Sequence, residues 1–252
     1  MQSSTILCTC ARGIVPALRA ELEQLGYTIA VEYPSGVAIE GTMADCMRLN
    51  LWLRTAHRVL YRLAAGRARD PREVYTMAHR IAWEDIVPRK GYVAVISSVD
   101  TPSITNTQFA NVKVKDAIVD RIRERTGSRP DSGPRTDNTV VFLYWHGAEA
   151  MLYIDTSGPS LSDRGYRLDA ARAPLRETLA AAIVMSTTWQ PDDHSFVNPM
   201  GGSGTLAIEA GLIATRRAPG IMRTNFGFMH VQGYDAKAWN TLRAQAQAGE
   251  RE

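Results

Sequence analysis

The sequence predicts an α/β protein made of three successive modules, and three patterns along its 252 residues support this. Strand-like and helix-like segments alternate over residues 1–66. In the middle of the chain, a long amphipathic helix lies between strand-like segments. Further on, a glycine-rich turn at Gly201–Gly204 leads directly into another helix-like segment. A chain of this length fits one large domain or two to three small ones.

The first module, residues 1–66, has the order βαββαβ. Its strands alternate in polarity, its helices repeat apolar residues at helical spacing, and Gly26 ends the first helix. The predicted elements are a strand at Ser4–Ala11, a helix at Ile14–Leu25, strands at Tyr27–Glu32 and Gly36–Glu40, a helix at Met43–Arg54 and a strand at His57–Ala64. This order predicts a ferredoxin-like domain, α+β in character.

The second module, residues 67–156, follows a charged, proline-containing boundary. Its centre is a helix with an apolar stripe at Ala110, Val114, Ile118 and Ile122, followed by a Gly/Pro/Ser-rich loop, Gly127–Asp137. The other predicted elements are a helix at Pro71–Ile81 and strands at Tyr92–Val99, Thr139–Trp145 and Ala150–Asp155. The last two strands form a hairpin around His146–Glu149.

The third module, residues 157–252, begins with a polar linker that overlaps the end of the second, Asp155–Pro174. Apolar spacing predicts a helix at Leu175–Ser186, with Pro174 well placed near its start. A short strand, Ser195–Val197, then runs into the glycine-rich turn, and the next helix covers Thr205–Thr215. The polar tail from Asp235 onward ends in a further helical segment.

Composition limits the class of protein. Hydrophobic residues make up 45% and charged residues 22%, which is typical of a soluble globular protein. No apolar run approaches the length of a membrane span, and the first residues lack the pattern of a signal peptide; we therefore expect a cytoplasmic location. The net charge of +3 permits a polyanionic partner without requiring one. The three cysteines, Cys8, Cys10 and Cys46, are expected to be buried, reduced thiols.

The glycine-rich turn has the chemistry of a nucleotide-type site. Glycines let the backbone adopt left-handed conformations and approach a ligand closely. The helix that follows offers free N–H groups and a positive dipole end. No lysine follows Gly204, so an ATP-binding P-loop is disfavoured, whereas the glycine count alone does not exclude NAD. A tight strand-to-helix turn without any ligand is the other open interpretation.

The stretch "NPMGGSGTLAIEAGLIA" resembles the motif D-P-x-C-G-S-G-T-x-x-I-E-A-A of the S-adenosylmethionine-dependent RNA methyltransferases that carry a THUMP domain. "YIDTSGPSLSDRGYRLDAARAPLRETLAAAIV" resembles that family's linker and pre-motif helix. "NTQFANVKVKDAIVDRIRERTGSRP" resembles its THUMP segment, and "CARGIVPALRAELEQLGY" its ferredoxin-like part. The resemblance covers nearly the whole chain in the same order, and the most similar members are the guanine-N2 methyltransferases of large-subunit ribosomal RNA.

The resemblance implies a ferredoxin-like domain, a THUMP domain and the first part of a Rossmann-like class I methyltransferase domain. It implies S-adenosylmethionine as cofactor and RNA as partner, either ribosomal or transfer RNA, with ribosomal RNA favoured. The cofactor loop would be Asn198, Pro199, Met200, Gly201, Gly202, Ser203, Gly204 and Thr205. Glu209 matches the family's glutamate in the next helix and is equally well interpreted as an ordinary helix residue.

Three departures from the family pattern stand out. Asn198 replaces the family's leading aspartate, which removes a charge-assisted hydrogen-bond acceptor, and Gly201 replaces a cysteine, which makes the loop more flexible. We therefore expect a cofactor affinity below the family norm. The family's Asn-Pro-Pro-Tyr-type motif, which holds the target amino group, is absent, so the catalytic residues are unknown. The chain is expected to be either a fragment or a short form that completes its sheet with a partner chain.

Cationic side chains crowd the central helix and the loop after it. Charge alone favours a solvated, ion-paired helix face, because acidic residues are interleaved; the THUMP resemblance instead implies phosphate contacts. The expected RNA-binding residues are Lys113, Lys115, Arg121, Arg125, Arg129 and Arg135, with Arg164 and Arg167 in the linker. Tyr166 either stacks on a base or the cofactor, or packs the linker. His146 and His230 are expected to be surface or packing residues, and no metal site is expected.

Three functions from different classes stay open on the sequence: an RNA methyltransferase, an RNA-binding module without catalysis, and a nucleotide-binding protein unrelated to RNA.

Overall fold

The computed structural model describes residues 2–167 and 174–251. Residues 168–173 of the predicted linker lie outside the described residues. The chain forms two compact units: the first contains 1–59, 160–224 and 235–252, and the second contains 60–159 and 225–234. Most residues of the third module, 160–224 and 235–252, therefore belong to the same unit as most of the first module, whereas 157–159 and 225–234 belong to the second unit.

The first unit contains the start of the predicted βαββαβ pattern. Its elements are β1 (Ser4–Thr9), α1 (Val15–Gln24), β2 (Ile29–Tyr33), β3 (Gly36–Gly41) and α2 (Met43–Trp52). The strands pair antiparallel in the order β2-β3-β1. Gly36 is required at its position, because a Cβ there would lie 2.7 Å from the Cys8 carbonyl oxygen. At the start of α2, a capping box joins Thr42 and Asp45, which satisfies two otherwise unpaired N–H groups.

Three more helices complete the first unit: α5 (Glu177–Met185), α6 (Thr205–Ala214) and α7 (Ala236–Ala248). Gly220 lies against α2, where a Cβ would come within 2.7 Å of the Asn50 carbonyl oxygen. The predicted strand at Ser195–Val197 is wrong, since the described residues of 156–251 include no strand. A strand needs a neighbour that satisfies its backbone N–H and C=O groups, and this short apolar segment has none in the described structure.

The second unit contains a five-stranded mixed sheet with helices on one face. Strand β4 (Arg58–Arg67) enters it from the first unit and is followed by α3 (Pro71–His79), β5 (Tyr92–Asp100), α4 (Thr107–Thr126), β6 (Asp131–Ser132), β7 (Thr139–His146) and β8 (Glu149–Asp155). The order is β4-β8-β7-β5-β6. Strand β5 is parallel to β6 and β7, and the other pairs are antiparallel.

Helices α3 and α4 cover the apolar face of this sheet. The predicted stripe on α4 is confirmed: Ala110, Val114, Ile118 and Ile122 are all buried in one core with Trp145. Short segments of 3₁₀-helix occur at Trp83–Asp85 and Gly227–His230. In the described part of the chain, no helix is both long and apolar enough to cross a membrane.

Candidate cofactor and RNA sites

The glycine-rich turn forms the N-terminus of α6. Gly202 and Gly204 have left-handed backbones, with φ of 53° and 76°, a conformation that glycine adopts without steric cost. The Gly204 amide donates to the Gly201 carbonyl at 2.8 Å, closing the turn. A Cβ on Gly201 or Gly202 would meet no atom within 4 Å. The turn is therefore bordered by open space, so packing against the protein does not explain these two glycines.

Polar groups from the linker and from α6 meet beside this turn. Arg167 donates to the Thr205 hydroxyl at 3.3 Å, and the Ser203 and Thr205 hydroxyls are 3.0 Å apart. The Arg167 guanidinium also binds the Glu177 carboxylate through Nε and Nη2, at 3.0 and 2.8 Å. The side chain of Arg167 is 22% exposed. The sequence placed Arg167 among the RNA contacts, whereas the structure places it next to the proposed cofactor turn.

The segment before the turn is open to solvent. Val197 is 81% exposed and Met200 is 87% exposed, while Asn198 is half-buried and Pro199 is exposed. Exposed apolar side chains of this size favour contact with an apolar surface. The described structure gives this segment no regular secondary structure.

A buried polar cluster anchors α6 from behind. Glu209 has no exposed surface and Arg164 is 2% exposed, and their side chains lie 3.5 Å apart at the Arg164 Nε and Glu209 Oε1 atoms. Tyr166 donates to the same oxygen at 3.0 Å. Burial raises the pKa of Glu209, and the positive charge of Arg164 and the Tyr166 hydroxyl offset part of this rise. Burial next to Glu209 also raises the pKa of Tyr166.

These contacts answer two questions that the sequence left open. Glu209 is a buried partner of the linker, and Tyr166 packs the linker onto α6. Arg164 is not accessible to a phosphate in this structure, so we leave it out of the RNA surface. Its guanidinium donates to the Leu161 carbonyl at 2.7 Å and also to the Arg54 carbonyl.

The cluster continues into the first module through Arg54. The Arg54 guanidinium donates to the Leu212 and Arg217 carbonyls, at 3.2 and 2.8 Å, which lie near the C-terminal end of α6. Its backbone N–H donates to Glu21 at 2.7 Å. Burial lowers the pKa of Arg54 and raises the pKa of Glu21. Two cations and two carboxylates thus balance one another inside this unit.

The residues at the turn fit the amino-acid end of S-adenosylmethionine. The open space beside Gly201 and Gly202 leaves room for a ligand, and the N-terminus of α6 favours a negatively charged group such as a carboxylate. Arg167 reaches the same end of the helix, with its charge also paired with Glu177. The hydroxyls of Ser203 and Thr205 add hydrogen-bonding capacity there.

The cations predicted to bind RNA on α4 are mostly ion-paired. Lys115 contacts Asp116 at 3.0 Å, and Arg121 binds Glu84 through two nitrogens, at 3.0 and 2.7 Å. Arg125 lies 3.9 Å from the same Glu84 carboxylate. The hydrogen bond from Arg121 lowers the pKa of Glu84. The charge pattern alone favoured this ion-paired arrangement, and the structure shows it at these positions.

Among the described residues, three other predicted RNA contacts form no salt bridge within 4.0 Å: Lys113, Arg129 and Arg135. Lys113 lies 5.5 Å from the centre of the Phe109 ring, and Arg135 lies 4.4 Å from that of Tyr92. Arg129 is exposed in the loop after α4. These residues stay candidates for phosphate contacts.

His146 and His230 form contacts with neighbouring side chains, and the cysteines are buried. His146 accepts from or donates to the Ser98 hydroxyl at 2.9 Å and stacks on Tyr144, and His230 pairs with Asn225 at 2.7 Å. All three cysteines are buried thiols, as predicted. Within 2–167 and 174–251, no group of His, Cys, Asp or Glu side chains is placed to hold a metal ion.

Family models match three consecutive parts of the chain. The ferredoxin-like domain model of RlmL matches residues 5–60, the THUMP domain model matches 68–155, and the RMKL-like methyltransferase domain model of the UPF0020 group matches 164–252. This order defines a methyltransferase-type chain with an attached THUMP domain. The chain thus contains regions similar to a ferredoxin-like domain, a THUMP domain and an RMKL-like methyltransferase domain.

Curated relatives carry the name ribosomal RNA large subunit methyltransferase K/L. The protein from Syntrophotalea carbinolica is 38% identical over 94% of this chain, and the one from Pseudomonas aeruginosa is 37% identical over 96%. The chain covers 34% of each relative, so it spans about a third of the length of the curated proteins it matches.

Solved structures share the fold over 99% of this chain. A protein from Listeria monocytogenes named "predicted N6-adenine-specific DNA methylase" has a TM-score of 0.89 at 33% identity, and this chain covers 65% of it. The protein SMU.472, solved in complex with SAH, has a TM-score of 0.88 at 30% identity, with 66% of it covered. These matches confirm the predicted combination of a ferredoxin-like domain, a THUMP domain and part of a methyltransferase domain.

Proposed function

We propose that this chain contains the RNA-binding modules and part of the cofactor site of a ribosomal RNA methyltransferase that uses S-adenosylmethionine. The observation that carries the proposal is the glycine-rich turn, which is open at Gly201 and Gly202 and has Arg167 beside it. The relatives' names favour large-subunit ribosomal RNA as the substrate. The acceptor atom in this proposal is the exocyclic N2 of a guanine, and the location is cytoplasmic.

In this proposal the residues of the chain bind the cofactor and the RNA and orient them towards each other. When bound, S-adenosylmethionine supplies an electrophilic methyl group. The amides of the turn other than that of Gly204, which donates to the Gly201 carbonyl, would face its amino-acid end, and Arg167, which also binds Glu177, would lie next to a carboxylate there. Glu209 and Arg164 hold α6 in place from the buried side. The THUMP domain binds the RNA backbone so that the target base reaches the site, which converts the reaction into one between oriented groups.

A non-catalytic RNA-binding module is the alternative function, because no residue of this chain is assigned to hold the target amino group. The active site would then be completed by a further segment or a partner chain. Transfer RNA is the alternative substrate within the same proposal.

Calorimetric titration of the chain with S-adenosylmethionine and S-adenosylhomocysteine tests the cofactor site. Gly201→Val is the informative variant, since its backbone is not left-handed and a side chain there enters open space. It should keep the fold and lose binding because the valine occupies the open space where the ligand would approach the backbone. Gly211→Ala, in the middle of α6 and also without close neighbours, is the matched control and should bind normally. Equal binding by Gly201→Val and the unmodified chain would contradict the site.

Methyl transfer from radiolabelled cofactor distinguishes the two functions. The assay offers bulk ribosomal RNA, transfer RNA and duplex DNA in parallel. Label in ribosomal RNA supports a complete enzyme, whereas RNA binding without label supports the binding module. Label only in DNA would contradict the proposed substrate.

A further inference from the structure

A second cationic surface lies on the THUMP domain, away from the positions predicted from sequence. The C-terminal end of β4 and one face of α3 border an open groove of about 400 Å³. We call it the β4–α3 groove; it is lined by Ala65, Gly66, Arg67, Glu73, Thr76, Met77 and Arg80. All of these except the half-buried Met77 are exposed. Both walls belong to the second unit.

The arginines of this groove differ from those of α4 in their partners. Within the described residues, neither Arg67 nor Arg80 forms an ion pair. By contrast, Arg121 and Arg123 on α4 contact Glu84 and Asp120, at 2.7 and 3.0 Å. A phosphate must compete with those carboxylates on α4, whereas the groove arginines give up no ion pair when they bind.

The acidic groups near the groove are already hydrogen-bonded to the backbone. Glu73 accepts from the Arg69 amide at 2.7 Å, and Asp70 caps α3 by accepting from the Arg72 and Glu73 amides, at 2.7 and 3.0 Å. Arg69 and Arg72 are exposed and add two more cations to this segment. This part of the surface therefore carries four arginines and three carboxylates, the third being Glu149, which lies opposite Arg67 in the sheet.

We propose that the β4–α3 groove binds the phosphate backbone of the RNA, with Arg67 and Arg80 as its phosphate ligands. The Thr76 hydroxyl lies on the same wall but already donates to the Arg72 carbonyl at 2.9 Å, so the two arginines are the donors of the groove. This inference rests on the proposed function, since it assigns part of the RNA surface of the same protein. Contacts of this kind supply affinity that depends steeply on salt and read little sequence.

Fluorescence anisotropy with a labelled RNA stem-loop, measured with the full chain over a series of salt concentrations, tests the groove. The double variant Arg67→Gln/Arg80→Gln should reduce the slope of log affinity against log salt by about 1.5, because each lost phosphate contact removes roughly 0.7–0.9. Arg67→Lys/Arg80→Lys keeps both charges and should retain most of the affinity. Arg123→Gln, which changes a 60% exposed arginine that is paired with Asp120, is the matched control and should leave the slope unchanged.

The outcomes separate this inference from the proposed function. If the unmodified chain does not bind RNA at all, the proposed function is contradicted, and the groove with it. If the unmodified chain binds and Arg67→Gln/Arg80→Gln binds with the same slope, the groove alone is contradicted. A slope lowered as much by Arg123→Gln as by the groove variant would also contradict it, since the effect would then follow total charge. Circular dichroism of each variant confirms that the fold is retained.

Discussion

Removal of Arg164 is expected to destabilise the first unit strongly. Arg164 is 2% exposed, and its charge is balanced by Glu209, which has no exposed surface. Arg164→Met keeps a long apolar side chain but leaves the Glu209 carboxylate with Tyr166 as its remaining close partner. Removing one member of a buried ion pair costs about 3–5 kcal/mol.

The structure allows this magnitude to be refined. The Leu161 and Arg54 carbonyls also lose the hydrogen bonds that Arg164 donates, and each such loss costs roughly 1 kcal/mol. In the opposite direction, burial already raises the pKa of Glu209, so proton uptake by the carboxyl limits the penalty. We expect a net loss of about 3–4 kcal/mol in the free energy of unfolding.

Urea denaturation, followed by tryptophan fluorescence and circular dichroism, measures this loss. Arg19→Met is the matched control: Arg19 is 50% exposed and pairs with Glu23 and Glu32 at the surface. Its substitution should lower the free energy of unfolding by less than about 1 kcal/mol. The double variant Arg164→Met/Glu209→Gln should lose less free energy of unfolding than the two single variants together, because neither buried charge is left without its partner. If Arg164→Met loses no more stability than Arg19→Met, the buried pair does not anchor α6.

Three further results are expected. Asn198→Asp, which restores the family's carboxylate, should tighten S-adenosylmethionine binding several-fold in calorimetry; unchanged or weaker binding would count against the expected role of this position. Burial raises the pKa of Cys10 to about 11, so in the native protein a disulfide reagent should react at pH 8 far more slowly than in urea; equal rates would contradict the buried placement. The pKa of Glu84 is lowered by Arg121, so its stabilising contribution is present above the ordinary glutamate pKa and is lost as the pH falls through the lowered value; Glu84→Gln should remove that part of the acid dependence in urea titrations, and an unchanged profile would argue against it.

Local patterns in the sequence predicted most of the fold. The α4 stripe and most of the strands in each unit follow from the residue spacing that lets an element bury one of its faces. The two-residue strand β6 was not predicted, because a strand this short carries no periodicity and depends on β5 for its pairing. The predicted strand at Ser195–Val197 was wrong for a related reason. Its apolar composition suggested a strand, but a strand forms only where a neighbouring strand pairs with its backbone.

The site was predictable in part. The turn Gly201–Gly204 was found from its glycines, and their left-handed backbones at Gly202 and Gly204 bear out the reason for glycine there. The partners of Glu209 and the position of Arg167 were not predictable, because they come from linker residues far away along the chain. The arginines of the β4–α3 groove, which form no ion pair in the described part of the chain, were not singled out from the sequence. Sequence shows charges, whereas only the structure shows which of them are already paired.

The central claim is that the turn Gly201–Gly204 holds S-adenosylmethionine. A crystal structure of the chain soaked with S-adenosylhomocysteine tests it most directly. The prediction is density for the amino-acid end of the ligand against the Gly201–Gly204 amides, with its carboxylate towards Arg167. Ligand bound elsewhere on the chain would contradict the claim. So would a structure in which the protein's own side chains cover the open side of the turn.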